Sequence, residues 1–185
     1  SSHITWEIKD PAIYPTFAAQ YGAQDAASGS LILVSGEQSV VLDASDLYDL
    51  RTHLEIIAVR LVTWLQPIEE LERWRPVFSV MTDETETDHY LAEDRLFHAS
   101  LYELSGNRYL TMMLHNIADL INLCRHYSVE GIPLSTFAHE HVAIIDAIET
   151  GDPDKAEVVL RGHLERSRDG LLNYLREHPE LSASG

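Results

Sequence analysis

Helical amphipathic periodicity runs from Asp43 to Glu177 and constrains the fold more than any other feature of the sequence. Apolar residues recur there at i, i+3 and i+4, in segments separated by helix-ending signals such as Pro67, Gly106 and Gly151. This spacing is typical of helices that bury one face. The sequence therefore predicts an all-α fold, an antiparallel bundle of about six helices.

The predicted helices follow one another with short connections. Asp43 or Ser45 can cap the first helix, Pro76 stops or kinks the second, and Ser135 can cap the fifth. The predicted helices span about residues 43–66, 67–75, 87–104, 109–127, 135–150 and 153–177. The predicted core-facing stripe of the first helix comprises Leu47, Leu50, Leu54, Ile57, Ala58, Leu61 and Leu65. That of the fourth comprises Met113, Leu114, Ile117, Leu120, Ile121 and Cys124.

The first 42 residues lack this period. Residues 1–30 contain two prolines and two glycines without a sustained pattern, which predicts an irregular arm. The following stretch, LILVSGEQSVVL, has two β-rich runs around Gly36 and predicts a small β-hairpin. The sequence thus divides into an N-terminal arm and hairpin (1–42), a helical domain (43–178) and a tail (179–185).

Charge and cysteine content exclude several functions. Thirteen basic and 30 acidic residues give a net charge of −17, which repels phosphate backbones and anionic membranes. A single cysteine, Cys124, rules out an intramolecular disulfide and zinc sites built from two or four cysteines. No apolar run approaches the ~18–20 residues of a membrane span. We expect a cytoplasmic protein without a membrane partner.

The segment EDRLFH, residues 93–98, places a carboxylate and an imidazole where Leu96 and Phe97 should be buried. Asp94 and His98 are one helical turn apart and share a face. His141 and His163 fall on the inward faces of two further helices. A buried carboxylate or imidazole is costly unless it is paired, hydrogen-bonded or bound to a metal.

One aspartate and three histidines form a mixed donor set suited to Zn²⁺, Ni²⁺ or Mn²⁺. The alternative is that each histidine is an ordinary hydrogen-bonded core residue and that Asp94 simply pairs with His98. Helical spacing leaves both interpretations open. The other seven histidines are predicted to be surface or partly exposed residues, at positions 3, 53, 89, 115, 126, 139 and 178.

Three segments carry a family resemblance: DLYDLRTHLEIIAVRL, DRLFHASLYELSGNRYL and EHVAIIDAIETGDPDKAEVVLRGHLERS. In this order they resemble the FCD domain, the effector-binding and dimerisation module of FadR-subfamily regulators within the GntR family of bacterial transcription factors. The resemblance covers residues 43–177. It implies a metal site, with zinc favoured, that is formed by Asp94, His98, His141 and His163.

The resemblance also implies a small organic acid whose carboxylate completes the metal coordination. Arg51 would face this effector, with Glu55 one turn further on and able to orient it. An ordinary pair between Arg51 and Glu55 within the helix is the alternative. The function implied is effector sensing in a homodimer rather than catalysis.

Operator DNA is expected to be bound only through a winged-helix domain that is not evident in this chain. The predicted hairpin resembles the wing of such a domain, but the residues before it do not form a helix-turn-helix pattern. The competing hypothesis is a metal-dependent enzyme acting on a small carboxylate. Against it, the sequence lacks H-E-x-x-H, and only Glu86 and His89 have the E-x-x-H spacing that a di-iron bundle needs twice.

Overall fold

The computed structural model describes residues 7–8, 30–35 and 38–178, without the side chains of residues 7–8, 30–42 and 123. This part of the chain is mainly helical, as predicted. Its seven helices are α1 (Ala44–Leu65), α2 (Ile68–Glu72), α3 (Arg75–Ser79), α4 (Thr87–Leu104), α5 (Arg108–Ser128), α6 (Leu134–Glu149) and α7 (Pro153–Glu177).

The structure has one helix more than predicted, because the predicted second helix is divided into two short helices, α2 and α3. Pro76 does not stop a helix; it lies in the first turn of α3, where its missing N–H has no intrahelical partner to lose. None of the helices in the described residues is both long and apolar enough to cross a membrane.

Three short strands precede the helices: β1 (Glu7–Ile8), β2 (Ser30–Ser35) and β3 (Gln38–Asp43). Their backbones pair antiparallel in the order β1-β2-β3. The two residues that would form the turn between β2 and β3 lie outside the described residues, as do the strand side chains up to residue 42. Most of the predicted arm and the tail at 179–185 lie outside them as well. The hairpin and its likeness to a wing therefore stay predictions.

Most helix ends follow the sequence signals. The Asp43 side chain accepts hydrogen bonds from two backbone N–H groups in the first turn of α1, and Asp152 does the same for α7. Gly106, a predicted helix-ending residue, follows α4 with φ +68°, which is the left-handed backbone conformation that glycine commonly adopts after a helix. The predicted cap at Ser135 is wrong, because α6 begins one residue earlier, at Leu134.

The buried face of α1 differs from the predicted stripe. Leu50, Ile57 and Leu65 are 47%, 47% and 60% exposed, whereas Arg51 and Glu55 are almost fully buried. Apolar residues occur on two adjacent sides of α1, and the packing of α4, α5 and α7 decides which side is covered. Two other residues expected to be buried are also about half exposed, Leu96 and Met113.

Helix α7 passes very close to the last turn of α5 at Gly170. A Cβ at this position would overlap the backbone oxygen of Ser128. We therefore expect Gly170→Ala to lower the free energy of unfolding by about 1–3 kcal/mol, measured by urea denaturation. Gly162, in the same helix, has open space at its Cβ. Gly162→Ala is the control and should be neutral or stabilising by up to about 1 kcal/mol; equal effects would contradict the close approach.

Candidate metal centre

The four predicted ligands converge in the bundle interior. Helix α4 contributes Asp94 and His98, α6 contributes His141, and α7 contributes His163. Each residue is at most 2% exposed. One carboxylate oxygen or ring nitrogen from each lies within 4.8 Å of the corresponding atoms of the others. The structure therefore brings together the residues selected from helix faces.

The spacing of these atoms suits a small coordination sphere. His98 Nε2 lies 3.2 Å from His163 Nε2, and Asp94 Oδ1 lies 3.1 Å from His141 Nε2. Asp94 Oδ1 is 3.8 Å from His98 Nε2 and 3.9 Å from His163 Nε2. Tetrahedral zinc ligands with bonds of ~2.0–2.2 Å are about 3.3–3.6 Å apart. The observed separations bracket this value.

The outer nitrogen of each histidine ring contacts an oxygen that can only accept a hydrogen bond. An ionised carboxylate or a backbone carbonyl has no proton to donate, so each neutral ring carries its proton on Nδ1. Each Nε2 then directs a lone pair into the cluster, which is the usual arrangement of metal-binding histidines. The acceptors are Glu55 Oε2 for His98 (2.6 Å), Glu140 Oε2 for His163 (3.0 Å) and the Phe137 carbonyl for His141 (2.8 Å).

The imidazoles are neutral at neutral pH. Burial is the main reason that the pKa of each ring is lowered, and a neighbouring imidazole is the next cause for two of them, His98 for His141 and His141 for His163. With neutral rings, the facing nitrogens of His98 and His163 have no proton between them. Among the described residues, His141 Nε2 also lacks a hydrogen-bond partner. These converging lone pairs are unfavourable by themselves and fit a bound cation.

Asp94 is held by two groups that the sequence interpretation missed. Tyr90 Oη donates to Asp94 Oδ1 at 3.1 Å, and Arg125 Nη2 contacts Asp94 Oδ2. Both partners are buried. Tyr90 precedes Asp94 by one helical turn, and Arg125 follows Ile121 by one turn on the buried side of α5. Both residues could have been noticed in the sequence, because each places a polar group on an otherwise apolar helix face.

Glu55 connects Arg51 to the ligand cluster. Its Oε1 accepts from Arg51 Nε at 2.6 Å and from Tyr102 Oη at 2.8 Å, while Oε2 accepts from His98. Although burial opposes ionisation, the charge of Arg51 and the contact with His98 lower the pKa of Glu55. The predicted pair between Arg51 and Glu55 is present, and both residues are 1% exposed.

Arg51 retains unused hydrogen-bonding capacity. Its terminal nitrogens, Nη1 and Nη2, are buried and have no hydrogen-bond partner among the described residues. Although burial opposes the charged form, the adjacent Glu55 raises the pKa of Arg51 above its ordinary value. A buried cationic donor pair without an acceptor is costly and would be satisfied by a carboxylate.

Aromatic side chains form the apolar wall of the site. Phe78 stacks on His141 with ring centroids 4.1 Å apart, and Phe97 meets the same ring edge-on at 5.0 Å. This packing limits rotation of the imidazole and excludes water. The remaining histidines in the described residues are exposed or partly exposed, in agreement with their prediction, at positions 53, 89, 115, 126, 139 and 178. His3 lies outside the described residues.

A helical bundle that buries a cluster of donor side chains is an architecture used for ligand and metal sites. Residues 46–166 match the FCD domain, and the chain belongs to the FCD domain family, as its resemblance predicted. The uncharacterized HTH-type transcriptional regulator YdhC of Bacillus subtilis (strain 168) is a relative. It is 27% identical over 143 residues, which cover 75% of this chain and 64% of YdhC.

The chain thus spans just under two thirds of that relative's length. A solved structure, the metal-free FCD domain of TM0439, a candidate transcriptional regulator, has a similar fold. The TM-score is 0.64 at 20% identity, and the match covers 72% of this chain and 94% of the other. The curated relative is named a transcriptional regulator, and the solved structure shares the helical fold of the FCD domain.

Proposed function

We propose that this chain is the metal-dependent, carboxylate-sensing and dimerisation domain of a GntR-type regulator of the FadR subfamily. One observation carries the proposal: four metal-ligand atoms face one another and are linked through Glu55 to Arg51, whose two terminal nitrogens are buried and have no hydrogen-bond partner in the part of the chain that the structure describes. The relatedness to an HTH-type regulator supports a role in transcription without catalysis.

Asp94, His98, His141 and His163 would hold the divalent ion. Zinc is favoured by the mixed nitrogen and oxygen donors, and nickel and manganese are the alternatives. A bound divalent ion would supply positive charge that attracts an anionic ligand. Glu55, Glu140 and the Phe137 carbonyl hold the three rings in the tautomer that such binding requires.

Arg51 would bind the carboxylate of a small organic acid. Its Nε is fixed by Glu55, which leaves Nη1 and Nη2 as a pair of donors with the geometry for one carboxylate group. Glu55 also contacts His98. The effector site and the metal cluster therefore share one buried hydrogen-bond network.

The signal would pass through α1. This helix carries Arg51 and Glu55, and it follows directly from β3, so a shift of α1 on ligand binding would act on the segment that precedes it. Such a switch requires that the ligand bind two states of the domain with different affinity. We propose a cytoplasmic homodimer that reaches operator DNA through a separate winged-helix domain, because a net charge of −17 disfavours DNA binding by this chain.

Carboxylate binding should depend on both the metal and Arg51. Lactate, succinate and citrate are titrated into zinc-loaded and chelator-treated protein by calorimetry. We expect at least one to bind the zinc-loaded form only. Arg51→Lys should weaken it about 10- to 100-fold, because an ammonium group cannot replace the paired guanidinium donors.

The control is Arg168→Lys, at a partly exposed arginine of α7 that pairs with surface carboxylates. This variant should bind the carboxylate as the unsubstituted chain does. Binding that persists without metal, or that is unchanged in Arg51→Lys, would contradict the proposed effector site.

A further inference from the structure

Two buried guanidinium groups lie in the interior of the bundle. Arg51 on α1 is 1% exposed, and Arg125 on α5 is 5% exposed. An arginine side chain stays protonated in proteins, so both groups carry a positive charge. Among the described residues, the one carboxylate that contacts Arg125 is that of Asp94, itself a candidate metal ligand.

The buried charges sum to zero only in the absence of a metal ion. Apart from the neutral imidazoles, the buried charged side chains of the described residues are two cations, Arg51 and Arg125, and two anions, Glu55 and Asp94. A divalent ion held by the proposed ligands would raise the sum to about +2. Uncompensated charge in a protein interior costs several kcal/mol, so this excess favours a bound anion.

The polar interior extends to the helix that carries Arg125. Tyr48 Oη lies 2.8 Å from Ser128 Oγ and 3.2 Å from Ser167 Oγ. Tyr48 is one turn from Arg51, Ser128 one turn from Arg125, and Ser167 one turn from His163 along their helices. These hydroxyl groups join α1, α5 and α7 on the same faces that present the two arginines and the metal ligand.

A cavity leads to Arg125 from the α4/α5 side. It has a volume of about 250 Å³ and is lined by Asp88, Leu91, Ala92, Arg95, Asn122 and Arg125. The Arg125 guanidinium that lines this cavity also contacts Asp94 directly. A small anion that enters this cavity would therefore reach Arg125 next to the proposed metal ligands.

We propose that the effector carries two negatively charged groups and that Arg125 is its second binding residue, in addition to Arg51. This inference rests on the proposed function and narrows its ligand to dicarboxylates or other small dianions. A dianion compensates both excess charges of the metal-loaded site, whereas a monoanion leaves one. Metal binding also engages Asp94, which weakens its hold on Arg125 and frees that guanidinium for the ligand.

The test uses dicarboxylates and monocarboxylates of equal carbon number. Succinate and butyrate, glutarate and valerate, and malate and 3-hydroxybutyrate are titrated by calorimetry into the zinc-loaded chain. We expect at least one dicarboxylate to bind 10-fold or more tightly than its monocarboxylate partner, because one additional hydrogen bond to a charged group increases affinity by about this factor. Arg125→Gln should remove most of this preference by weakening dicarboxylate binding about 10- to 100-fold and monocarboxylate binding much less, in protein reloaded with zinc and checked for zinc content by elemental analysis.

Two further variants keep the outcome clear. Arg95→Gln removes an exposed arginine from the same cavity and should retain the preference. Arg125→Lys keeps the charge but loses the paired guanidinium donors, so it should reduce the preference, as Arg51→Lys reduces carboxylate binding. This variant decides the question if Arg125→Gln does not fold, and full retention of the preference in it would overturn the role of Arg125. Equal binding of paired ligands, or equal weakening of both in Arg125→Gln, would overturn the inference while leaving carboxylate sensing intact. Absence of any carboxylate binding by zinc-loaded protein would contradict the proposed function itself.

Discussion

Replacing His141 and His163 together by alanine is expected to abolish tight metal binding. The double substitution removes two of four donors and leaves Asp94 and His98, both from α4, as the only remaining ligands of the cluster. Loss of a single outer partner of a ligand already costs ~10- to 100-fold in affinity, so loss of two ligands should cost more than about 100-fold. Competition with a chromogenic zinc chelator measures the effect.

A matched control comes from histidines that lie outside the cluster. His126 and His139 are exposed residues of α5 and α6, and the double variant His126→Ala with His139→Ala should bind zinc as the unsubstituted chain does. Stoichiometric tight binding in the His141 and His163 double variant would show that this cluster does not hold the metal.

Glu55→Gln should cause a large loss of stability even in metal-free protein. The substitution leaves Arg51 buried without its counter-charge, and breaking a buried ion pair from one side typically costs about 3–5 kcal/mol. The amide would also present a donor where Arg51, Tyr102 and His98 now require an acceptor. Urea denaturation in the presence of a chelator measures this change separately from metal binding.

A partly exposed carboxylate provides the comparison for Glu55. Glu157 pairs with Arg60 at 2.9 Å, and both side chains remain about 30% exposed. Glu157→Gln should cost no more than about 1 kcal/mol, because solvent screens such pairs. If the two substitutions had equal effects, Glu55 would not be the buried counter-charge of Arg51.

The same carboxylate predicts an acid dependence of stability. Because the pKa of Glu55 is lowered from its ordinary value of 4.5 in the folded chain, its ionised form stabilises the fold above about pH 4.5. This contribution is lost as the pH falls below that value toward the folded-state pKa. In chelator-treated protein, the unsubstituted chain should therefore lose more stability on acidification than Glu55→Gln does.

Local sequence signals were sufficient for most of the helices and for placing Asp94, His98, His141 and His163 on inward helix faces. Helical periodicity places each of these residues on a particular face, and a titratable residue on an apolar face is visible without any structure. The caps at Asp43 and Asp152 are similarly local, since the side chain and the N–H groups that it binds are within three residues.

Contacts between helices could not be predicted in this way. The orientation of α1 depends on how other helices cover it. Periodicity alone therefore predicts a core position for Leu50, whereas this residue is half exposed. Arg125 and Glu140 reach their partners Asp94 and His163 across helix boundaries, 31 and 23 residues away in sequence. Such pairings depend on the relative rotation and offset of packed helices, which periodicity within one helix does not determine.

We propose that Asp94, His98, His141 and His163 form a metal site that presents a bound ion to a small acid. Native mass spectrometry with elemental analysis, on protein purified gently and without chelators, is the direct test of this metal site. We predict one divalent transition ion per chain, removed by a chelator and restored by zinc, together with the mass of a dimer. A chain that carries no stoichiometric metal as purified, and takes up none from zinc, nickel or manganese, would contradict the claim.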